Sequence, residues 1–166
     1  MSASYDLPFG RGKALLANSS GLLDRLVGGW IVNSIYTVQP GPALDWGNLI
    51  YFGGDLKLDA RNTARAFDTT RFNTNPQQQL ASNIRTFPTR FSNLRGDSVN
   101  NLDASLLKNI AMTEKVRLQF RFEAFNALNR AQFDAPNRSA TGSAFGTIQQ
   151  QANLPRRIQM ALRLVW

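Results

Sequence analysis

Arg117, Gln119, Arg121 and Glu123 alternate along one short stretch, and Arg163 holds the same phase in another. Alternate residues of an extended chain point to one face. Arg117, Arg121, Glu123 and Arg163 can therefore share a surface as a charge network. Two roles are open to such a network: ion pairing that braces a wall, which is the first reading, and binding of a polar substrate. Other constellations fail on their spacing or surroundings. Asp97 and Asp103 suggest a carboxylate pair, but their neighbours offer neither a nucleophile nor a pocket that would raise a carboxyl pKa. Gly10-Arg11-Gly12-Lys13 suggests a phosphate loop, but it lacks the full spacing and the Ser or Thr that should follow, so it reads as a turn. The chain has no cysteine and no histidine. That removes disulfide frameworks, thiol catalysis, most zinc sites and histidine acid–base chemistry. The expectation is a protein that is not an enzyme and needs no cofactor or metal.

The 166 residues carry a formal net charge of +8. Such a balance first suggests nucleic acid or an anionic surface. The distribution argues otherwise: only four lysines occur (Lys13, Lys57, Lys108, Lys115), the arginines are scattered, and Arg156–Arg157 is the sole adjacent basic pair. No recognition helix, RNA-binding aromatic signature or zinc-finger spacing accompanies them, so no nucleic acid partner is expected. Hydrophobic residues make up 43% and charged residues 18%. No apolar run approaches the roughly 18 residues of a membrane-spanning helix. A transmembrane β-barrel hides its apolar signal in this way, because every second residue is polar.

The elements that must position the charges follow from alternation. Residues 158–166 place Ile158, Met160, Leu162, Leu164 and Trp166 on one face, with Gln159, Ala161, Arg163 and Val165 on the other. Residues 116–126 place Val116, Leu118, Phe120, Phe122 and Ala124 opposite Arg117, Gln119, Arg121 and Glu123. Residues 30–39 put Trp30, Val32, Ser34, Tyr36 and Val38 on one side. Residues 101–110 alternate less cleanly, with Leu107 and Lys108 as exceptions. Residues 4–9 bring Tyr5, Leu7 and Phe9 to one face. A short amphipathic helix is predicted over 14–28, ended by Gly28-Gly29. Met112-Thr113-Glu114-Lys115 is a tight polar turn. Residues 40–100 and 130–154 read as long polar loops, the first being the best place for ligand recognition. Short and long connections thus alternate, as periplasmic turns and extracellular loops do in a barrel.

Magnitudes fix the orientation. With the odd face of 116–124 in lipid, Arg117 and Arg121 would each cost about 2–4 kcal/mol near the midplane. That is a large part of a stability of ~5–15 kcal/mol. The even face therefore points outward, and the odd face lines a wet interior. The fold class predicted is all-β: antiparallel outer-membrane β-barrel strands, a partial barrel of about five C-terminal strands with long extracellular loops. Outer-membrane lipid is the first partner implied. Trp30, Tyr36 and Trp166 are candidate girdle aromatics at the membrane boundary, with ligand contact as the alternative. A soluble antiparallel sheet with one buried face would show a similar alternation.

The order of motifs adds a resemblance. Tyr5-Asp6-Leu7-Pro8-Phe9-Gly10-Arg11-Gly12-Lys13 is followed by Leu26-Val27-Gly28-Gly29-Trp30 and a strand ending near Gln39-Pro40-Gly41. Then come residues 91–96, Asp103-Ala104-Ser105-Leu106-Leu107-Lys108-Asn109, residues 117–133 ("RLQFRFEAFNALNRAQF") and residues 155–166 ("PRRIQMALRLVW"). The series resembles the C-terminal barrel of TonB-dependent receptors, nearest to the Oar-like, carboxypeptidase-regulatory-domain-bearing group.

The resemblance implies a large barrel with a plugged lumen that takes up a scarce solute, powered by an inner-membrane TonB complex through N-terminal parts missing here. It implies that residues 1–166 are the C-terminal portion of such a barrel in the cell outer membrane, active only when the barrel is complete. It also implies a partner in the barrel-assembly machinery, which reads a final strand ending in an aromatic, with Leu164 and Trp166 the residues concerned. No signal peptide, plug or TonB box is seen, so the chain is expected to be a fragment of the longer receptor. Saccharide, siderophore and peptide solutes all stay open. The alternative is a small self-contained β-barrel or surface-binding protein with a structural role.

Overall fold

The computed structural model describes residues 1–60, 62–79, 85 and 87–166. In chain order the elements are β1 (Ser2–Asp6), α1 (Gly21–Val27), β2 (Trp30–Gln39), β3 (Ala43–Asp45), β4 (Arg90–Arg95), β5 (Val99–Ala111), β6 (Arg117–Phe125) and β7 (Arg157–Val165). Among the described residues, two single 3-10 turns lie between β3 and β4, at Thr69–Arg71 and Pro76–Gln78. Among the described residues no helix is long and apolar enough to cross a membrane, a statement that leaves β-strands untouched.

The chain divides into two units. The first comprises Met1–Val38, Asn100–Arg130 and Leu154–Trp166. It holds a five-stranded sheet in the order β1-β2-β5-β6-β7. The registers of β1 with β2, β5 with β6 and β6 with β7 are antiparallel. In the β2–β5 pair, Asn109 N–H donates to Gly29 O and Asn33 Nδ2 donates to Ser105 Oγ, so one number rises as the other falls. This pair is antiparallel as well. The sheet is open, with β1 and β7 as its two edges.

Local chemistry closes the turns of this unit. Val116 O accepts from Met112 N–H and Thr113 N–H, and Thr113 Oγ1 accepts from Val116 N–H at 3.1 Å, which makes the β5–β6 hairpin tight. Before β2 the backbone passes so close to β5 that a Cβ on Gly29 would stand 2.7 Å from Asn109 O, at a φ of +72°. Only glycine meets both demands. After β6 the chain turns at Asn126, whose φ of 50° suits Asn better than most residues. Its buried amide donates to Arg130 O and Leu154 O, which pins the exit of β6 to the entry of β7.

The second unit comprises Gln39–Val99 and Ala131–Asn153. β3 and β4 pair antiparallel, with a register irregularity between Ala43 and Asp45. Around them Leu44, Trp46, Leu56, Phe67, Phe72 and Leu94 are each no more than 3% exposed. Trp46 stacks on Phe72 and meets Phe67 edge-on, both at 4.9 Å between centroids. Phe145 closes on Phe67 at 5.3 Å. Asx caps start both 3-10 turns: Asp68 Oδ1 accepts from Thr70 N–H, and Asn75 Oδ1 accepts from Gln77 N–H.

Three sequence expectations change here. The alternating stretch read over residues 4–9 is a strand only over Ser2–Asp6, so Leu7 and Phe9 lie beyond it. The helix predicted over 14–28 is confined to Gly21–Val27, because the chain ahead of it bridges Phe9 to Leu15 and turns at Leu16 with a φ of 62°. The stretches 40–100 and 130–154 are not merely polar loops: together they build the aromatic core of the second unit. Residues 61, 80–84 and 86 of the first stretch lie outside the described residues.

Candidate functional site

Register decides what the wall presents. Between β6 and β7, Leu118 faces Leu164, Phe120 faces Leu162, Phe122 faces Met160 and Ala124 faces Ile158. Between β5 and β6, Ile110 faces Leu118 and Leu106 faces Phe122. Directly opposed residues share a face, so the apolar sets of three strands merge into one surface. The other surface pairs Gln119 with Arg163 and with Asn109, and Glu123 with Gln159 and with Ser105. A slip of one residue in any pair would mix the two.

Among the described residues the apolar surface has no buried core of its own. Every residue of β7 is exposed, and Met160 and Leu162 stand 67% and 70% open. The buried hydrophobic cluster lies wholly in the second unit. A sheet with one greasy face and no covering layer is unstable in water, because apolar area left wet forgoes about 25 cal/mol per Å². In a bilayer the acyl chains supply that cover.

The sequence-predicted charges fall on the polar surface, and the network they form is narrower than alternation suggests. Arg121 pairs with Glu123 at 3.5 Å, and Gln159 Nε2 donates to the same carboxylate. Gln119 Nε2 donates to Asn109 Oδ1 at 3.0 Å, and Asn33 reaches Ser105. Side-chain bonds thus cross from β2 to β7. Arg163 stands opposite Gln119 and Arg117 opposite Val165, and neither joins an ion pair among the described residues.

Of the three aromatics, Trp30 donates from Nε1 to Leu26 O at 3.0 Å, and its ring lies under Lys108 Nζ at 4.9 Å. Tyr36 is six positions further along β2, in the same phase, and is half-buried. Trp166 follows β7 in the phase of Leu164 and is 88% exposed.

Lys108, an exception to the alternation, is accounted for by its surroundings. It stands opposite Phe120 on the apolar surface, yet is 4% exposed. Its ammonium donates to Leu26 O at 2.9 Å and to Gly28 O. A charge that would be expensive against lipid is thus hydrogen-bonded to the last carbonyls of α1.

The second unit holds a feature that sequence reasoning missed. A cavity of about 330 Å³ is walled by Leu44, Ala66, Leu94, Phe133 and Ile148, with Asp97 on its margin. Asp97 Oδ2 accepts from Phe133 N–H at 3.0 Å, so this carboxylate holds a loop rather than pairing with Asp103. Arg90 bonds Asp45 and holds its carboxyl below the usual range, while the carboxylate raises the Arg90 pKa. Both side chains are more than 60% open, so solvent screens the pair. The Asp68 carboxyl is also held low, first by the Thr70 hydroxyl, then by Thr70 N–H and the Arg71 guanidinium, against the opposing effect of its desolvation.

Neither the curated proteins nor the solved structures contain a significant match to the chain. The family defined as "Outer membrane beta barrel domain" matches residues 1–159, nearly the whole sequence. The antiparallel sheet, apolar on one side and polar on the other, suits a barrel wall. The match covers far more than half of the chain, which therefore belongs to this family as an outer-membrane β-barrel protein.

Proposed function

We propose that this chain supplies wall strands and outer loops of a TonB-dependent receptor of the Oar-like group, which takes up a scarce solute across the outer membrane. The observation that carries the reading is the shared register of β5, β6 and β7, which separates an apolar from a polar surface without a residue of slippage. The unpaired edges of β1 and β7 support a barrel completed by further strands. The free edge of β7 suits strand addition by the barrel-assembly machinery. Arg121, Glu123 and Gln159 form a hydrated lining suited to bracing a plug. Trp30 and Tyr36 share the phase of the apolar surface on β2, as lipid-facing girdle residues should. The second unit, with its cavity, serves as the solute-facing loop region.

The test has two arms. The complete receptor, solubilised from outer membranes, should be retained by the immobilised periplasmic domain of TonB. A receptor that sits in the outer membrane but is not retained overturns the TonB-dependent reading. The chain by itself should migrate identically with and without boiling on a denaturing gel. A heat-modifiable band would mean that it closes unaided, as the small self-contained barrel requires.

A further inference from the structure

The connection between β1 and β2 carries α1, and α1 is out of place for a soluble turn. Leu22, Leu23 and Leu26 are 77%, 51% and 69% exposed. Residues spaced by three and four lie on one stripe of a helix, so the three leucines form a single apolar face. Leu15 and Leu16 of the same connection are also half open. The polar side of the helix is turned inward: Asp24 Oδ1 accepts from Arg11 N–H at 2.6 Å and from the Ser19 hydroxyl at 3.1 Å.

What fixes the position of α1 is the wall. Lys108 of β5 and Trp30 of β2 both donate to Leu26 O, and Lys108 also donates to Gly28 O. Lys108 belongs to the surface that carries Leu106, Phe120 and Phe122. Two strands therefore grip the C-terminal turn of α1 from the apolar side of the sheet. The exposed leucines continue that surface at the end where the β5–β6 hairpin turns.

We propose that α1 is an interfacial anchor, clamped by Lys108 and Trp30 to the lipid-facing side of the wall, with Leu22, Leu23 and Leu26 seated in the acyl boundary of the phospholipid leaflet. Free interfacial helices are longer than this one and bind through their own apolar area. Here the wall supplies the anchoring. Arg11, Lys13 and Arg25 in the same connection suit the phosphates of the head groups. The clamp also explains how a lysine occupies a lipid-facing strand: its charge is directed away from the acyl chains, to helix carbonyls near the membrane boundary.

The inference rests on the outward assignment of the apolar surface, so the experiment tests the two separately. A benzophenone photo-crosslinking residue is placed in turn at Leu22, Leu26, Phe120 and Glu114 of the full-length protein in cells whose phospholipids carry labelled phosphate. Irradiation should transfer label from Leu22, Leu26 and Phe120, and not from Glu114 in the hairpin turn. Labelling from Phe120 without labelling from Leu22 and Leu26 overturns the anchor and leaves the wall assignment standing. Loss at Phe120 as well overturns the assignment itself. Lys108→Met should lower labelling from Leu26 severalfold while Phe120 is unchanged, and undiminished labelling from Leu26 removes Lys108 from the clamp.

Discussion

The wall and the loop unit use the same kinds of residue in opposite ways. Phe67 of the loop unit is 0% exposed and touches other rings on several sides. Phe120 of the wall faces Leu162 on one neighbour and Lys108 on the other, and is only half-buried. Phe67 is satisfied by other side chains, whereas the surface that carries Phe120 is suited to cover by lipid. A chain of 43% hydrophobic residues can therefore place its buried core in the part that sequence patterning marks as polar loop. Burial from water and burial in a protein core are separate quantities in this molecule.

The contrast can be broken most severely at Phe67. Phe67→Ala should cost the loop unit about 3–5 kcal/mol, the usual range for an aromatic lost from a packed core. Trp46, itself 3% exposed and in ring contact with Phe67, reports the loss as a red-shifted emission at lower denaturant. An unshifted midpoint would mean that this cluster does not hold the unit together. A smaller effect is expected from Phe120→Arg, about 2–4 kcal/mol near the bilayer midplane, against almost none for Gln119→Arg on the wet side. Denaturant titration in lipid vesicles of the assembled barrel measures both, and equal costs would erase the distinction between the faces. The smallest effect sharpens the picture on the watery side. Asp68→Ala should remove an N-cap worth about 1 kcal/mol. Because the folded carboxyl is held below its unfolded value, Asp68 stabilises fully above pH ~4 and its contribution fades as pH falls through the lower folded pKa. Acid titration of the variant should accordingly show a flatter decline below that point than the parent protein.

The wall was legible because period-2 alternation records a face directly. The bounds read for β2 coincide with the strand observed, and those of β5, β6 and β7 differ by a residue or two. The pairing of Leu118 with Leu164 and Gln119 with Arg163 follows from the same phase. The loop unit was illegible for the converse reason. Trp46, Phe67, Phe72 and Leu94 lie far apart in sequence among polar residues, with no period to link them, and they converge only through tertiary packing. β3 has only three residues, and β4 spaces its apolar Phe91 and Leu94 by three, so neither shows alternation. Of the candidate charges, Arg121 and Glu123 meet as alternation suggested, whereas Arg117 and Arg163 share only the face. Lys108 broke the pattern visibly, but its partners are backbone carbonyls of Leu26 and Gly28, which no side-chain pattern encodes.

The loop unit also tightens its own neck. Gly96 N–H donates to Pro42 O, and Arg95 donates to Gly41 O across 54 positions of sequence. Gly41 approaches Gly96 so closely that no side chain would fit there. Once this neck has formed, β2 and β5 are joined by an effective link of a few residues. Shortening a closure from some fifty residues to a handful saves roughly 2 kcal/mol of chain entropy. The intervening segment can thus vary in length and content while the pairing of the two strands that flank it in sequence stays almost unaffected.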